Sequence, residues 1–281
     1  MMPLLRRVAR WTVASRMRLC TVVFVVFILA IVAFGPLLSP YSTTAINASE
    51  RFLRPSWSHP FGTDEMGRDI VTRVLAGARL SVLISASVLS VTLIVGVVVG
   101  GVAGFYGGLV DLVVMRITEI FLTFPTLVLA MALAASLGPS LGSMILALSI
   151  AWWASYARLL RAKVIELREE QYVEAARALG MSSWRVLFRH ILPNALGPLV
   201  VRITNDFGGV ILFSTVLGFL GLGPQPPTPE WGLMVATASR YLAITPSYAL
   251  FSGSALFITV LAFALLGDEV YESYRSTTRR D

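Results

Sequence analysis

The stretch EAARALGMSSWRVLFRHILPN, from Glu174 to Asn194, is charged and broken by a turn, whereas most of the chain is apolar enough to dissolve in lipid. Ala175, Ala176, Ala178 and Leu179 are strong helix formers, and Gly180 then supplies the residue that turns left-handed at a helix end without penalty. A first helix therefore stops at Gly180. Ser182 stands where it can N-cap a second helix, whose apolar residues Trp184, Leu187, Phe188 and Ile191 fall at i, i+3, i+4 and i+7. Arg185 and Arg189 take the opposite face, and Pro193 is read as the terminator. A helix, a tight turn and a second amphipathic helix make a unit shaped to dock against a partner. Upstream, Glu166, Glu170 and Glu174 repeat at i, i+4 as a like-charge column, which either a basic partner surface or a solvated face accommodates.

The flanks of this unit define the fold class. Of 281 residues, 56% are hydrophobic and 14% charged, against roughly a quarter charged in an average soluble domain. Six apolar runs are long enough to cross a bilayer core of about 30 Å as helices. They are Leu19 to Leu38, Leu80 to Tyr106, Ile120 to Leu137, Leu141 to Ala157, Phe207 to Leu222 and Tyr248 to Gly267. Lipid offers no partners to backbone N–H and C=O groups, so each run must satisfy its own hydrogen bonds as a helix. The expected fold is an all-α membrane protein with six transmembrane helices, the charged unit lying between helices 4 and 5.

A net charge of +7 on a soluble domain would suggest nucleic acid, but its distribution suits membrane topology better. Arg and Lys collect on the cytoplasmic side. Arg6, Arg7, Arg10, Arg16 and Arg18 stand at the N-terminus, and Arg158, Arg161, Lys163, Arg168, Arg177, Arg185 and Arg189 cluster around the charged unit. Arg275, Arg279 and Arg280 follow the last run. Both termini and the charged unit are thus expected inside, an N-in/C-in arrangement. The loop from Ser39 to Arg79 opposes this rule, being external yet carrying Arg51, Arg54, Arg68, Arg73 and Arg79 beside Glu50, Asp64, Glu65 and Asp69. The arginine-rich start and the small-x-small triplet Ala33-Phe34-Gly35 also resemble a cleavable signal, but a run near 20 residues exceeds the usual hydrophobic region of roughly 7–15, so the segment reads as a retained helix. The single cysteine, Cys20, forms no internal disulfide.

Three segments are expected: 1–77 with the first helix and its long external loop, 78–268 as the transmembrane domain, and 269–281 as a cytoplasmic tail. In the second helix Gly96, Gly100 and Gly104 share one face, either for close approach of a neighbouring helix or simply as a small-residue surface. Pro125 is expected to kink the third helix one turn from its start. Asp206 with Arg202, and Glu119 with Arg116, lie near membrane boundaries at ion-pair spacing, either as local pairs or facing a cavity or partner.

Chemistry of other kinds has little footing. No G-x-x-x-x-G-K-[ST] phosphate loop occurs, and the two histidines, His59 and His190, fall outside the apolar runs. His59, Asp64, Glu65 and Asp69 make a tempting metal set, but Gly62-Thr63-Asp64 and Gly67-Arg68-Asp69 read more simply as turns with local caps. Pro224, Pro226, Pro227 and Pro229 form a stiff connector that presents Trp231, with Gln225 and Pro226, to a docking protein, or Trp231 to the membrane interface.

Glu174, Ala175, Ala176, Gly180, Leu192 and Pro193 resemble the E-A-A-x3-G-x9-I-x-L-P loop of permease subunits of ABC importers, with His190 where the consensus has isoleucine. The RHILPN form is similar to the peptide-importing branch. HPFGTDEMGRDIVTRVLAGARLSV (His59 to Val82), GFLGLGPQPPTPEWGLMVATASRYL (Gly218 to Leu242) and LAFALLGDEV (Leu261 to Val270) resemble the C-type permeases of dipeptide, oligopeptide and nickel importers in family order. The tail YESYRSTTRRD departs from the Asp-Pro-Arg often found there.

This resemblance implies a type I importer permease fold in the plasma membrane, with 174–193 as coupling helices seated on a cytoplasmic ATPase subunit. It implies a sister permease, two ATPase subunits and an extracytoplasmic substrate-binding protein as partners, besides membrane lipid, and no nucleic acid. No cofactor is expected on this chain, ATP and Mg belonging to the partner subunits. Two rival readings are a secondary transporter or channel working alone and a membrane anchor for a cytoplasmic partner. The first would want internal repeats and more embedded charges, and the second leaves the glycine face and the outer loops unexplained.

Overall fold

The structure is a computed structural model that describes residues 2–278, and the side chains of 19–35 and 37–274. The basic clusters at Arg6–Arg18 and from Arg275 onward, on which the N-in/C-in reading leans, lie outside the described side chains. Among the described residues all regular structure is helical apart from one isolated bridge between Thr63 and Asp69.

The helices are α1 (Met2–Leu38), α2 (Ile70–Tyr106), α3 (Gly108–Thr123), α4 (Thr126–Leu137), α5 (Leu141–Arg168), α6 (Gln171–Ala178), α7 (Ser183–Val186), α8 (Leu192–Ala195), α9 (Gly197–Phe219), α10 (Trp231–Arg240) and α11 (Pro246–Thr278). Four of them, α2, α5, α9 and α11, are long and apolar enough to span a membrane. Only 33% of the most apolar window of α2 is buried within the chain, so much of its apolar surface faces outward, as a lipid-embedded helix requires.

Two spans differ from expectation. The third run is not one kinked helix: α3 and α4 meet at 90°. Pro125 forces Phe124 into extended backbone (φ −84°, ψ 140°), because the proline ring excludes the residue before it from the helical region. In the first, the described apolar part, Leu19–Gly35, falls just short of a full span, although α1 continues to either side.

Helix ends also overrun the apolar runs. The second begins at Ile70 rather than Leu80, because the Asp69 carboxylate caps the Thr72 N–H at 2.8 Å. The expected segment boundaries at 77/78 and 268/269 therefore fall inside α2 and α11.

The body is organised about α2 and α5. A Cβ at Gly96 would lie 2.6 Å from Tyr156 Cβ, one at Gly100 2.2 Å from the Ala157 carbonyl oxygen, and one at Gly104 2.9 Å from the Arg161 carbonyl oxygen. The three glycines let the two backbones touch along three successive turns. Asp206 joins α9 to this pair, accepting from Tyr156 Oη (3.0 Å) and Trp152 Nε1 (3.3 Å) as well as from Arg202 Nε (2.7 Å). It is thus more than the local pair its spacing suggests, whereas Arg116–Glu119 is local and exposed (3.2 Å).

Candidate functional site

α2 carries a site at each end. At its Tyr106 end the charged unit is rooted in the apolar core that α2 and α5 share. Val173 and Ala176 of α6, Val186, Leu187, Ile191, Leu192 and Ala195 are buried in one cluster with Leu160, Val164 and Leu167 of α5. Burying an aliphatic side chain of this kind is worth about 1.5–3 kcal/mol, so the unit is fixed to the bundle. Charges lock the root further. Arg161 pairs bidentately with Asp111 of α3, and Arg168 Nη1 donates to the Gly104 and Phe105 carbonyls at 3.3 Å. The Arg177 guanidinium lies 5.9 Å from the Phe105 ring centre.

The turn forms where the glycine directs. Gly180 has φ +76°, and the Met181 N–H reaches back to the Ala176 carbonyl (3.2 Å) while Gly180 N–H reaches Arg177 (2.9 Å), a helix end of the Schellman kind. A Cβ at Gly180 would meet nothing within 4 Å. Backbone conformation alone demands glycine there.

The second helix departs from the periodic reading. Residues Leu187–Ile191 form a wide π turn, with the Leu192 N–H bonding Leu187 O five residues back. Pro193 lacks an N–H, and in a regular helix its ring would strike the Arg189 carbonyl; the widened turn relieves this. Pro193 accordingly opens α8 instead of terminating the helix, and Asn194 Nδ2 donates to the His190 carbonyl at 2.7 Å. The extra residue in the turn rotates the apolar face. Leu187 and Ile191 are buried as expected, but Trp184 is 61% and Phe188 47% exposed, their rings in tilted contact with centroids 4.2 Å apart. Leu179 is 80% exposed. The adjacent pairs Val186-Leu187 and Ile191-Leu192, five apart, carry the signal of this wider period. Ser182 occupies the N-cap position without a side-chain bond.

The acidic column dissolves. The chain turns between α5 and α6 at Glu169 and Glu170, so the three carboxylates do not share a helix, and Glu166 pairs with Lys163. Glu174 and Ala175 are exposed on α6 and Ala176 faces the core. His190 is half-buried with its Nε2 unbonded. The elbow thus offers three large apolar side chains to solvent, rimmed by exposed Glu174, Arg177, Arg185 and Arg189, the composition of an interface core with a polar rim.

The Ile70 end of α2 carries a buried charge network. Val74 to Phe105 spans about 46 Å of helix, so the two sites stand far apart. Here Asp64, Glu65, Arg68, Asp69, Arg73 and His59 are all buried. Arg68 bonds Asp64 and Glu65 at 2.7 Å, and His59 Nδ1 lies 3.0 Å from Asp69. Arg73 Nε stands 3.2 Å from Asp64 in an ion pair without hydrogen-bond alignment, and its Nη1 donates to the carbonyls of Thr43 (2.7 Å) and Pro227 (3.2 Å). Burial, and then the Asp64 charge, raise the Glu65 carboxyl above the ordinary range. These carboxylates are taken up by arginines and by turn and cap N–H groups, with Gly62 and Gly67 at positive φ. Sequence spacing exposed the turns but hid the network, whose members come from three segments.

Trp231 is not displayed. It is 1% exposed, its Nε1 donating to the Val74 carbonyl at 3.0 Å, and Gly77 makes room for its ring. The expectation that it faces a docking protein or the membrane interface is therefore corrected: the prolines fold the indole inward as a wedge on α2. Gln225 and Pro226 remain exposed at the tip of the connector. The preceding residue, Glu230, is fully buried and caps α10 through Gly232 N–H (2.9 Å) and Leu233 N–H (2.8 Å). Burial pushes its carboxyl up to about 7 against those two bonds.

Relatives bear on this arrangement. The chain is 42% identical over 254 residues to a dipeptide transport system permease protein of Alkalihalophilus pseudofirmus, covering 90% of this chain and 84% of the relative. It is 41% identical to a probable D,D-dipeptide transport system permease protein (91% and 86% covered) and 38% identical to a nickel transport system permease protein (91% and 92%), both of Escherichia coli strain K12. Its fold is similar to that of the inward-facing MetNI methionine ABC transporter, with a TM-score of 0.57 at 19% identity over 72% of this chain and 95% of that one. The family model described as binding-protein-dependent transport system inner membrane component matches residues 96–275. With its four spanning helices, broken pair and rooted elbow, this chain belongs to that family of multi-pass inner-membrane transport components.

Proposed function

We propose that this chain is the permease subunit of an ATP-driven importer of dipeptides or oligopeptides, forming half of the translocation pathway with a sister permease. The elbow, 174–193, seats on one of two cytoplasmic ATPase subunits, and an extracytoplasmic binding protein delivers cargo at the opposite end, near Gln225 and Pro226. The chain crosses the membrane six times, counting α1 and the α3–α4 pair as one span each, with both termini inside. ATP and Mg act on the partner subunits, and nucleotide hydrolysis is not this chain's chemistry.

The observation that carries this reading is the elbow itself: a turn rooted on α5 by buried aliphatics, with Leu179, Trp184 and Phe188 left outward. A root of this stiffness transmits displacement, and an exposed apolar centre with a charged rim is what a partner cleft accepts. Closure of the ATPases on nucleotide biases the permease pair between inward-open and outward-open states, provided ATP binds one state better. Peptide cargo is supported by the dipeptide relatives, with a nickel chelate the alternative that the nickel relative raises.

Reconstitution tests it. The chain should co-purify with a subunit bearing a phosphate-binding loop, and the complex with its binding protein should take up a labelled dipeptide into proteoliposomes only with ATP. A chain that purifies alone, or uptake without nucleotide, would overturn it.

A further inference from the structure

The loop that violated the positive-inside rule gains a meaning once its charges are sorted by burial. Between 39 and 79 stand Arg51, Arg54, Arg68, Arg73 and Arg79 against Glu50, Asp64, Glu65 and Asp69. Arg68 and Arg73 are consumed by Asp64 and Glu65 inside the network, and Asp69 by His59 and Thr72. Arg51, Arg54 and Arg79 remain at the surface with Glu50, whose carboxylate faces His59 Nε2 at 3.8 Å.

Segments carrying two of the surface arginines flank an apolar cleft of about 680 Å³, lined by Pro55, Leu242, Pro246, Ser247, Ala249, Leu250 and Phe251. Arg54 precedes Pro55, and exposed Arg240 stands two residues before Leu242. Arg51 reaches the same rim, because the Phe52 ring lies 5.1 Å from Tyr241 and the Arg51 guanidinium 5.5 Å from Phe52. The two walls are held together a second time by stacking of Phe61 on Phe251 at 3.7 Å. Ala249, Leu250 and Phe251 belong to the first turns of α11, the apolar helix that enters the membrane at this end. Trp57, wholly exposed, projects from the same loop.

A largely apolar cleft where a spanning helix begins, with three exposed arginines on the segments that form its walls, fits a chain-bearing anion. We infer that this cleft binds an anionic phospholipid of the leaflet at that end of the bundle, one acyl chain along Leu242 and Leu250 and the phosphate against Arg51, Arg54 and Arg240. Guanidinium forks suit phosphate oxygens, each basic side chain near a membrane surface adds about a fivefold preference for anionic lipid, and an exposed indole suits the interface. The site lies far from the elbow and stands whether or not the cargo is a peptide.

The assembled complex in nanodiscs of equal parts phosphatidylglycerol and phosphatidylcholine, with a benzophenone amino acid at Leu242, tests this site by itself. Mass analysis of the photo-adduct should give phosphatidylglycerol in roughly tenfold or greater excess, falling to near parity in the Arg51→Gln, Arg54→Gln, Arg240→Gln triple variant. None of these three arginines forms a salt bridge among the described residues, so the variant should fold. Arg79→Gln, exposed on α2 outside this rim, should keep the excess. Equal labelling of both lipids in the parent, an excess that survives the triple variant, or an adduct to a protein subunit would overturn the inference.

Discussion

The two ends of α2 dispose of their side chains in opposite ways. At the Ile70 end charges and a tryptophan are drawn inward: six ionisable residues, Glu230 and Trp231 are buried, and Arg73 bridges separate segments. At the Tyr106 end the aliphatics are inside and Leu179, Trp184 and Phe188 are left outside. The buried network at one end maintains a shape, whereas the aromatic surface exposed on the rigid root at the other is unfinished without a partner. The difference teaches where each kind of substitution acts: on stability at one end, on assembly and coupling at the other.

Arg73→Met should break this contrast most severely. It removes the bridge among Asp64, Thr43 and Pro227 and leaves a buried carboxylate short of a partner, a loss of about 3–5 kcal/mol. Thermal unfolding of the purified complex should shift down sharply while whatever fraction stays folded still binds the ATPase subunit. Trp184→Ala sharpens the contrast from the other side. Stability should stay within about 0.5 kcal/mol, while affinity for the ATPase subunit drops by about 2 kcal/mol or roughly 30-fold, read by titrating that subunit onto the immobilised permease.

Gly180→Val should cost about 1–2 kcal/mol of backbone strain at φ +76° with no collision, since the space beside it is open. The variant should insert and be stable, yet hydrolyse ATP without taking up peptide; undiminished uptake would count against a rigid elbow. The smallest effect concerns Glu230. Its folded-state pKa of about 7 stands above the unfolded carboxyl value of about 4.3, so the folded chain holds the proton more tightly. Its contribution is full below about pH 4.3 and is lost as pH rises through about 7. Glu230→Gln should flatten that part of the unfolding profile, and an unchanged slope would place the titration elsewhere.

Much of this was legible in the sequence because lipid imposes a simple rule. Apolar runs of sufficient length had to be helices, and Gly96, Gly100 and Gly104 marked one face open to close approach, which the structure shows occupied by α5. The elbow's turn was written in Gly180. Helix ends were not legible, because hydropathy marks the lipid core and not the caps; Asp69 starts α2 ten residues before the run begins. The outward aromatics were hidden because a proline two residues beyond the π turn changes the helical period. Trp231 misled for a related reason: an aromatic after prolines fits an interface belt equally well, and only the space at Gly77, 154 residues away, decides that it turns inward. The ionisable members of the buried network lie close together in sequence, but the reach of Arg73 to the carbonyls of Thr43 and Pro227 leaves no periodic trace.

The most direct test of the elbow's role places a single cysteine at Trp184, with Cys20 replaced by serine, in cells expressing the whole transport system. Oxidative or short bifunctional crosslinking should join that position to the nucleotide-hydrolysing subunit, with a yield that changes when ATP is trapped, and a membrane-impermeant maleimide added outside intact cells should not reach it. Labelling from outside, or no bond to that subunit in an actively transporting complex, would contradict it.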